Sequence, residues 1–127
     1  MRRDELYLVD IVEACDAIAR FVIGYDRGRL ASDDLVGSAA LQKLSIVGEA
    51  AARVSDALHA DYPDVAWRQA AGIRNILVHS YFTVDWDVIW RTIDRDLPNL
   101  RNAVMDILQE RWPETAAALQ QQFRGRR

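Results

Sequence analysis

The sequence predicts an all-α protein, an antiparallel helical bundle of four to six helices. Apolar residues recur at alternating intervals of three and four along most of the chain, and no window alternates with period two. The polar segments between these helical stretches are short, and short connections favour antiparallel neighbours. With 127 residues, 50% of them apolar, the chain can close one hydrophobic core, so residues 1–127 are expected to form a single domain.

The first predicted helix runs from about Asp4 to Ile23. Its apolar residues keep the helical spacing along one face: Leu8, Ile11, Cys15, Ile18 and Val22. Gly24 and Gly28 interrupt the helix, and Ser32 and Asp33 provide N-caps for a second helix.

The second predicted helix keeps the same spacing over five turns. Its apolar face consists of Ala40, Leu44, Val47, Ala51, Val54 and Leu58. Another face carries mostly small residues: Leu41, Ser45, Gly48 and Ala52. Because small side chains let two backbones approach closely, this face can pack against another helix of the same chain or of a partner. Pro63, in the segment from Asp61 to Asp64, ends the helix.

The remaining helices follow from caps and prolines. The buried face of the third helix consists of Ala66, Ala70, Ile73 and Leu77. Asp85 is the expected N-cap of a fourth helix, Pro98 lies near the first turn of a fifth, and Pro113 opens a short terminal helix. We expect residues 112–127 to form a peripheral C-terminal helix with a frayed tail, from Arg124 to Arg127.

Composition excludes several classes of protein. The net charge of −3 and the pI near 5.3 argue against binding of nucleic acid through bulk charge, so any RNA contact must be local. One cysteine, Cys15, and two histidines provide neither an internal disulfide nor a zinc ligand set, and no cofactor is indicated. No apolar run approaches the roughly 18 residues of a membrane span, so we expect a cytoplasmic protein with no membrane partner.

The segment from Arg74 to Tyr81 gathers a guanidinium, an amide, an imidazole and a phenol at the end of one helix. Asn75 and His79 are one helical turn apart, so the amide can hydrogen-bond the imidazole ring and orient it. Arg74 is about 140° from His79 around the helix at roughly 100° per residue. Only the long arginine side chain, or a second chain, can bring the two groups together.

These groups are suited to the cleavage of RNA without a metal ion. An imidazole transfers protons near neutral pH, and a guanidinium binds a phosphate on which negative charge accumulates. The ribose 2′-hydroxyl attacks its own phosphodiester, so the protein needs only to move protons and stabilise the phosphorane. Acid and base roles require two groups, whereas each chain has one suitable histidine, His79. A two-fold dimer supplies the second set.

Other interpretations of the same residues stay open. A lone histidine near a helix C-terminus, such as His79, is more often a capping residue than a catalytic one. Arg74 is also a candidate structural ion-pair partner of Glu49 or Asp64, and Tyr81 fits a half-buried position in a bundle.

Further polar and aromatic residues are assigned structural roles. Glu49 and Arg53 have the spacing of a helical ion pair, and His59 is interpreted as a surface residue without a role. Four aromatic residues are expected to be core or interface anchors: Trp67, Trp86, Trp90 and Trp112. Four aspartates have no metal-ligand spacing and are assigned to helix caps or solvated faces: Asp85, Asp87, Asp94 and Asp96.

With these residues in place, the sequence resembles the HepT-like ribonuclease toxins of the HEPN superfamily. The hallmark of that family is an arginine, four to six residues, a histidine, any residue and a tyrosine. Arg74, His79, Ser80 and Tyr81 match this hallmark, and Asn75 follows the arginine as is usual in the family.

The resemblance extends from about Leu8 to Leu108 and includes residues on both sides of the motif. These residues are Gly48, Glu49 and Ala50, then Pro63, Trp67 and Phe82, then Asp85, Trp90, Asp96, Leu97 and Pro98. A match to the short motif alone is weak, whereas these flanks in the same order make it strong.

The resemblance implies a HEPN-like bundle that dimerises with its two motifs facing a common cleft. It also implies a metal-independent ribonuclease whose catalytic pair is Arg74 and His79, with Asn75 in support. Such toxins are typically paired with a minimal nucleotidyltransferase antitoxin, MntA, which transfers AMP from ATP to the motif tyrosine. By position the acceptor is Tyr81, and the added charge and bulk would block the binding of an RNA phosphate.

Two hypotheses for the function follow. The first is a toxin endoribonuclease, homodimeric and cytoplasmic, that AMP transfer to Tyr81 inactivates. The alternative is a non-catalytic HEPN dimer whose cleft binds a nucleotide or a nucleotidyltransferase partner. The acidic net charge favours the alternative, and the concentration of Arg74 and His79 in one short segment favours the enzyme.

Overall fold

The computed structural model describes residues 3–79 and 83–125, without the side chains of residues 78, 79 and 123. Within these ranges the chain is helical and contains no β-strand, which confirms the all-α prediction. The helices are α1 (Asp4–Phe21), α2 (Arg27–Ser32), α3 (Asp34–Arg53), α4 (Asp56–Asp61), α5 (Trp67–His79), α6 (Trp86–Arg91), α7 (Leu97–Arg111) and α8 (Pro113–Gly125), with a π-helical turn at Thr92–Asp96. The described segments outnumber the four to six predicted helices because short helices α2 and α4 are separate from their neighbours.

Helix α3 packs between α1 and α5, and α7 packs against the other side of α1. The apolar faces predicted for α1 and α3 form the centre of the core, and several of their side chains are completely buried: Leu8, Ile11, Ala40, Leu44, Val47 and Ala51. The predicted face of α5 is inside only in part: Ala70 and Ile73 are buried and Leu77 is half-buried, whereas Ala66 is exposed and precedes the helix. Burial of these apolar faces is the main stabilisation of the bundle.

The prediction of one continuous second helix as far as Leu58 is wrong. Helix α3 ends at Arg53, the backbone of Val54 is extended, and a new helix, α4, begins after Ser55. The Ser55 hydroxyl accepts a hydrogen bond from the Leu58 amide at 3.2 Å, while the amide and hydroxyl of Ser55 both donate to the Asp4 carboxylate. The helical periodicity hid this break because Val54 and Leu58 are buried on both sides of it.

Short helix α2 precedes α3 and was not predicted. The Asp26 side chain caps it by accepting a hydrogen bond from the Arg29 amide at 2.8 Å, and Leu30 anchors it in the core. Asp33 caps α3 by accepting from the Val36 amide at 3.0 Å, which confirms the predicted cap.

The predicted fourth and fifth helices are joined by the π-helical turn. Asp85 caps α6 through the Val88 amide at 3.3 Å, as predicted. Pro98 has no N–H with which to continue the α-helical hydrogen bonding, and its ring crowds the preceding turn. The wider π-helical turn at Thr92–Asp96 immediately precedes Pro98 and keeps the chain helical at this point.

Helix α8 begins at Pro113, where the sequence analysis places the terminal helix. It packs on α7 and buries Ala116 and Leu119. It continues through Arg124 to Gly125, two residues into the segment expected to fray. Among the described residues, no helix combines the length and apolar character that a membrane span requires.

The closest approach between α3 and α5 occurs at Gly48. A Cβ atom on Gly48 would lie 2.9 Å from the Arg74 amide nitrogen and 3.3 Å from the Arg74 Cβ. Of the small-residue face of the second predicted helix, Gly48 therefore packs against another helix of the same chain, whereas Ser45 is exposed. Gly48 sets the position of the α5 backbone at Arg74.

We expect Gly48→Ala to lower the free energy of unfolding by about 1–2 kcal/mol, because the added methyl group meets the backbone of α5. Gly72→Ala on α5 is the matched control, since a Cβ there would meet nothing within 4 Å. It should raise the free energy of unfolding by about 0.5–1 kcal/mol. Urea denaturation of both variants measures the difference, and equal stability would show that the helices have room at Gly48.

Candidate active site at the contact between α3 and α5

The guanidinium of Arg74 lies at the surface, on the side of α5 that meets α3. Arg74 Nη1 donates a hydrogen bond to Glu49 Oε2 at 3.0 Å, and 49% of the Arg74 side chain is exposed. Of the two ion-pair partners considered for Arg74 in the sequence analysis, the structure shows Glu49. The arginine is therefore accessible to a ligand while its side chain is held on one side.

Glu49 is shared by two arginines. Its Oε1 atom accepts a hydrogen bond from Arg53 Nε at 2.7 Å, which confirms the predicted helical ion pair. Each carboxylate oxygen thus pairs with a different guanidinium, one from α3 and one from α5. These three side chains, which we call the Arg74–Glu49–Arg53 cluster, carry a net charge of one positive unit.

The hydrogen bonds of this cluster keep its groups charged. The pKa of the Glu49 carboxyl lies below its ordinary value, first because Arg53 hydrogen-bonds it and second because Arg74 does. The pKa of Arg53 is raised by its hydrogen bond to Glu49 and further by a hydrogen bond with Tyr7 on α1. All members are partly exposed, so water and salt screen the attraction between them.

A groove of about 440 Å³ between α1 and α3 adjoins the cluster. Its lining consists of Tyr7, Asp10, Ser45, Ile46, Glu49, Ala50 and Arg53. This volume falls within the range of small-ligand pockets. The groove mixes acidic and basic side chains, since Asp10 and Glu49 line it together with Arg53.

The other predicted site residues are described only in part. His79 is the last residue of α5, and its side chain lies outside the description, as does Tyr81. Asn75 is exposed on α5 next to Arg74, whereas its predicted hydrogen bond to His79 involves a side chain outside the described residues. The roles of Arg74, His79, Asn75 and Tyr81 therefore stay predictions.

Cys15 is not a candidate nucleophile. Only 5% of its surface is exposed, and burial raises the pKa of its thiol to about 12, with a smaller contribution from the neighbouring Asp16 carboxylate. The reactive form of cysteine is the thiolate, which such a thiol does not form near neutral pH. In the described part of the chain, no group of three His, Cys, Asp or Glu side chains is arranged to hold a metal ion.

His59 is half-buried rather than fully exposed, and the interpretation that it has no role is wrong. Its Nε2 atom lies 3.1 Å from the Ala51 carbonyl oxygen, and its ring packs against Trp67 with 4.7 Å between the centroids. Trp67 is itself buried and donates a hydrogen bond to the Tyr62 carbonyl at 3.0 Å. His59 therefore helps to pack α4 against the start of α5, away from the motif.

The tryptophans and aspartates behave mainly as predicted. Trp67 is buried, and the other three tryptophans pack half-buried against the core: Trp86, Trp90 and Trp112. Asp85 is a cap, Asp87 pairs with Arg27, and Asp96 accepts a hydrogen bond from Gln69.

Comparison with known proteins identifies the family. The family described as “Ribonuclease HepT-like” matches residues 11–107, which extend from α1 into α7. The chain belongs to the HepT-like ribonuclease family. This result confirms the resemblance and assigns the chain to a family of RNA-cleaving enzymes. Helix α8 lies outside the matched residues.

Individual relatives support the same assignment. A protein of Thermococcus cleftensis named “Probable ribonuclease HepT” is 34% identical over 95 residues, which are 75% of this chain and 86% of that protein. “Putative RNase TTE0752” of Caldanaerobacter subterraneus subsp. tengcongensis is 31% identical and covers 87% of this chain and 98% of its own length. “Putative RNase MJ1380” of Methanocaldococcus jannaschii is 29% identical over 81% of this chain and 95% of its own. No solved structure matches the chain significantly.

One feature of the site was left open by the sequence analysis and one was missed. Glu49 was paired with Arg53 by spacing, and its bond to Arg74, 25 residues later in the chain, was one of two alternatives. The feature that was missed is the contribution of Tyr7, on α1, to the raised pKa of Arg53. The spacing of residues along the chain gives no indication of it. The triplet Gly48, Glu49 and Ala50, noted as part of the resemblance, was a further signal for the bond between Glu49 and Arg74.

We expect Arg53→Gln to raise the pKa of Glu49 more than Arg74→Gln does, because the bond from Arg53 is the larger cause of its lowering. Because the pKa of Glu49 is lowered in the folded state, its ionised carboxylate stabilises the fold at pH values above the pKa of the unfolded chain. This stabilisation is lost as the pH falls through the pKa of the folded state. NMR titration of the Glu49 side-chain carboxyl carbon measures the change.

Arg27→Gln is the control for this titration. Arg27 pairs with Asp87 beside the N-terminal end of α3, and this end is about 22 Å along the helix axis from Glu49 at 1.5 Å per residue. The Glu49 pKa should not change in that variant. If neither Arg53→Gln nor Arg74→Gln moves it, the cluster does not persist in solution.

Proposed function

We propose that this chain is the toxin of a toxin-antitoxin pair, a metal-independent endoribonuclease that acts in the cytoplasm. The observation that carries the proposal is the surface guanidinium of Arg74, half exposed and held at the contact between α3 and α5 within the family's motif. A guanidinium in this position can bind an RNA phosphate with two parallel hydrogen bonds. Membership of the HepT-like ribonuclease family supports the reaction class.

In this mechanism the nucleophile belongs to the substrate. His79 accepts the proton of a ribose 2′-hydroxyl, which attacks the adjacent phosphodiester, and the ribose 5′-oxygen leaves with a proton. Arg74 stabilises the phosphorane, on which negative charge is greatest. Asn75 orients the imidazole of His79 from one helical turn away. DNA lacks the internal nucleophile and is not cleaved.

The proposed active form is a homodimer. Each chain has one histidine in the motif, whereas the base that removes the first proton and the acid that protonates the leaving oxygen act on opposite sides of the phosphorus. A two-fold axis beside the motifs places a second Arg74 and His79 in the same cleft. The second copy thereby completes the acid and base pair.

The proposed antitoxin is an MntA-like nucleotidyltransferase that transfers AMP from ATP to the Tyr81 hydroxyl, with release of pyrophosphate. The new phosphodiester carries a negative charge two residues from His79 in the sequence. It competes with RNA for the arginine and fills the cleft, so the modified toxin is inactive.

A second candidate function is a non-catalytic dimer whose cleft binds a nucleotide or the nucleotidyltransferase itself. Two observations favour it. The net charge of −3 does not attract a polyanion, and Glu49 already occupies part of the hydrogen-bonding capacity of Arg74. In this alternative, Arg74 binds one phosphate and His79 donates a hydrogen bond without any proton transfer.

We expect the purified, unmodified protein to cleave single-stranded RNA in the presence of EDTA and to leave 2′,3′-cyclic phosphate ends. Arg74→Ala and His79→Ala should each lower kcat/KM by about 10²–10⁴-fold, since they remove phosphorane stabilisation and proton transfer. Arg27→Ala, which removes an exposed arginine on α2, is the matched control and should cleave like the wild type. Gel analysis of labelled RNA measures the rates. Full activity of His79→Ala would exclude His79 as a catalytic group, whereas absence of cleavage by the wild type would leave the non-catalytic alternative.

Co-expression with the nucleotidyltransferase antitoxin should add the mass of AMP to Tyr81 and abolish cleavage, because the modification blocks the phosphate site. Peptide mass spectrometry locates the modification, and Tyr81→Phe should carry none. Tyr25→Phe is the control, since Tyr25 hydrogen-bonds Asp33 just before α3, outside the cluster and the groove, and should not affect the transfer. AMP found on another residue, or an active protein bearing AMP at Tyr81, would contradict the proposed switch.

A further inference from the structure

Two consecutive residues of α3, Gly48 and Glu49, contact Arg74 in different ways. Gly48 meets the backbone of Arg74, where even a methyl group would approach the amide nitrogen to 2.9 Å. Glu49 accepts a hydrogen bond from the Arg74 guanidinium at 3.0 Å. Both ends of a long, flexible side chain are thus located by neighbouring residues of one rigid helix.

We infer that Glu49 is a positioning residue, which holds the Arg74 guanidinium in the direction from which it binds the scissile phosphate of RNA. The inference rests on the proposed ribonuclease function and adds a residue to its site. Glu49 does not contact the substrate in this role; it acts only through Arg74.

The form of the contact supports positioning. Arginine has five N–H donors, and the bond to Glu49 uses Nη1 toward a single carboxylate oxygen. A carboxylate that blocked the guanidinium would pair with it through both oxygens, whereas the second oxygen of Glu49 is bonded to Arg53. With 49% of its side chain exposed, Arg74 retains donors for a phosphate.

Arg53 makes this arrangement compatible with anion binding. A lone Glu49 carboxylate beside Arg74 would cancel its charge and repel an incoming phosphate. The bond from Arg53 Nε, at 2.7 Å, offsets the charge of Glu49, so the cluster stays positive by one unit. The same bond fixes the carboxylate on α3, and Glu49 in turn orients Arg74.

The test compares Glu49→Gln, Glu49→Asp and Glu110→Gln in the 127-residue chain, with RNA as substrate. Glu49→Gln keeps the size of the side chain and removes its charge, and we expect kcat to fall by about 10²-fold, as for a catalytic group displaced by about 1 Å. KM should change by less than about 3-fold, because interactions made mainly in the transition state are lost. Thermal unfolding confirms that each variant is folded.

The other two variants separate contact from charge. Glu49→Asp retains the charge on a shorter side chain, so it should resemble Glu49→Gln if the contact positions Arg74. Glu110→Gln removes an exposed carboxylate from α7 and should cleave like the wild type. An unchanged or raised kcat in Glu49→Gln, or a Glu49→Asp variant as active as the wild type, would overturn the inference.

A second measurement does not depend on cleavage. In ¹⁵N NMR spectra the Arg74 Nη atoms should give separate signals in the wild type, because the bond to Glu49 slows rotation, and one averaged signal in Glu49→Gln. If the signals do not change, the positioning role is refuted whatever the activity. If they change while wild-type protein leaves RNA uncleaved, the proposed function fails and the contact stands.

Discussion

The absence of a side chain at residue 48 is the constraint on which the site depends. A Cβ atom at that position would meet the α5 backbone, so the two helices could not keep their present separation at Arg74. Because α3 packs on both α1 and α5, a change in this separation would also reach the rest of the core. Glu49 and Arg53, on the exposed side of α3, then meet Arg74 at hydrogen-bond distance. Gly48 and Glu49 are adjacent in α3, so one part of this helix provides both the close backbone contact and the ion pair with Arg74.

The apolar periodicity was sufficient to predict the class of fold and the faces of α1, α3 and α5. It failed at Val54 and Ser55, because both sides of the break are buried and the pattern continues through it. What breaks the helix is a pair of hydrogen bonds from Ser55 to Asp4, a residue 51 positions earlier. Spacing along the chain contains no information about such a contact. The same limit explains why His59 was misplaced, since its partner Trp67 lies on the next helix.

The candidate site was predicted in its residue types but not in its connections. The sequence marked Arg74, Asn75, His79 and Tyr81 because their functional groups rarely occur together without a reason. The sequence offered two possible ion-pair partners for Arg74, Glu49 and Asp64. Choosing between them required the packing of α3 against α5. The family match spans both helices of this contact, which is consistent with the triplet at Gly48 being part of the resemblance.

The π-helical turn at Thr92–Asp96 has a consequence for the tolerance of the chain to deletion. A π-helical turn accommodates one residue more than a regular helix of the same length. Loss of a single residue there would restore regular helical geometry and leave the helix faces on either side nearly in phase, because the wider turn absorbs the extra residue. Leu100, Val104 and Ile107 would then stay in the interior. A one-residue deletion in this turn would thus be tolerated far better than the same deletion in α1 or α3, where everything downstream would rotate by roughly 100° about the helix axis.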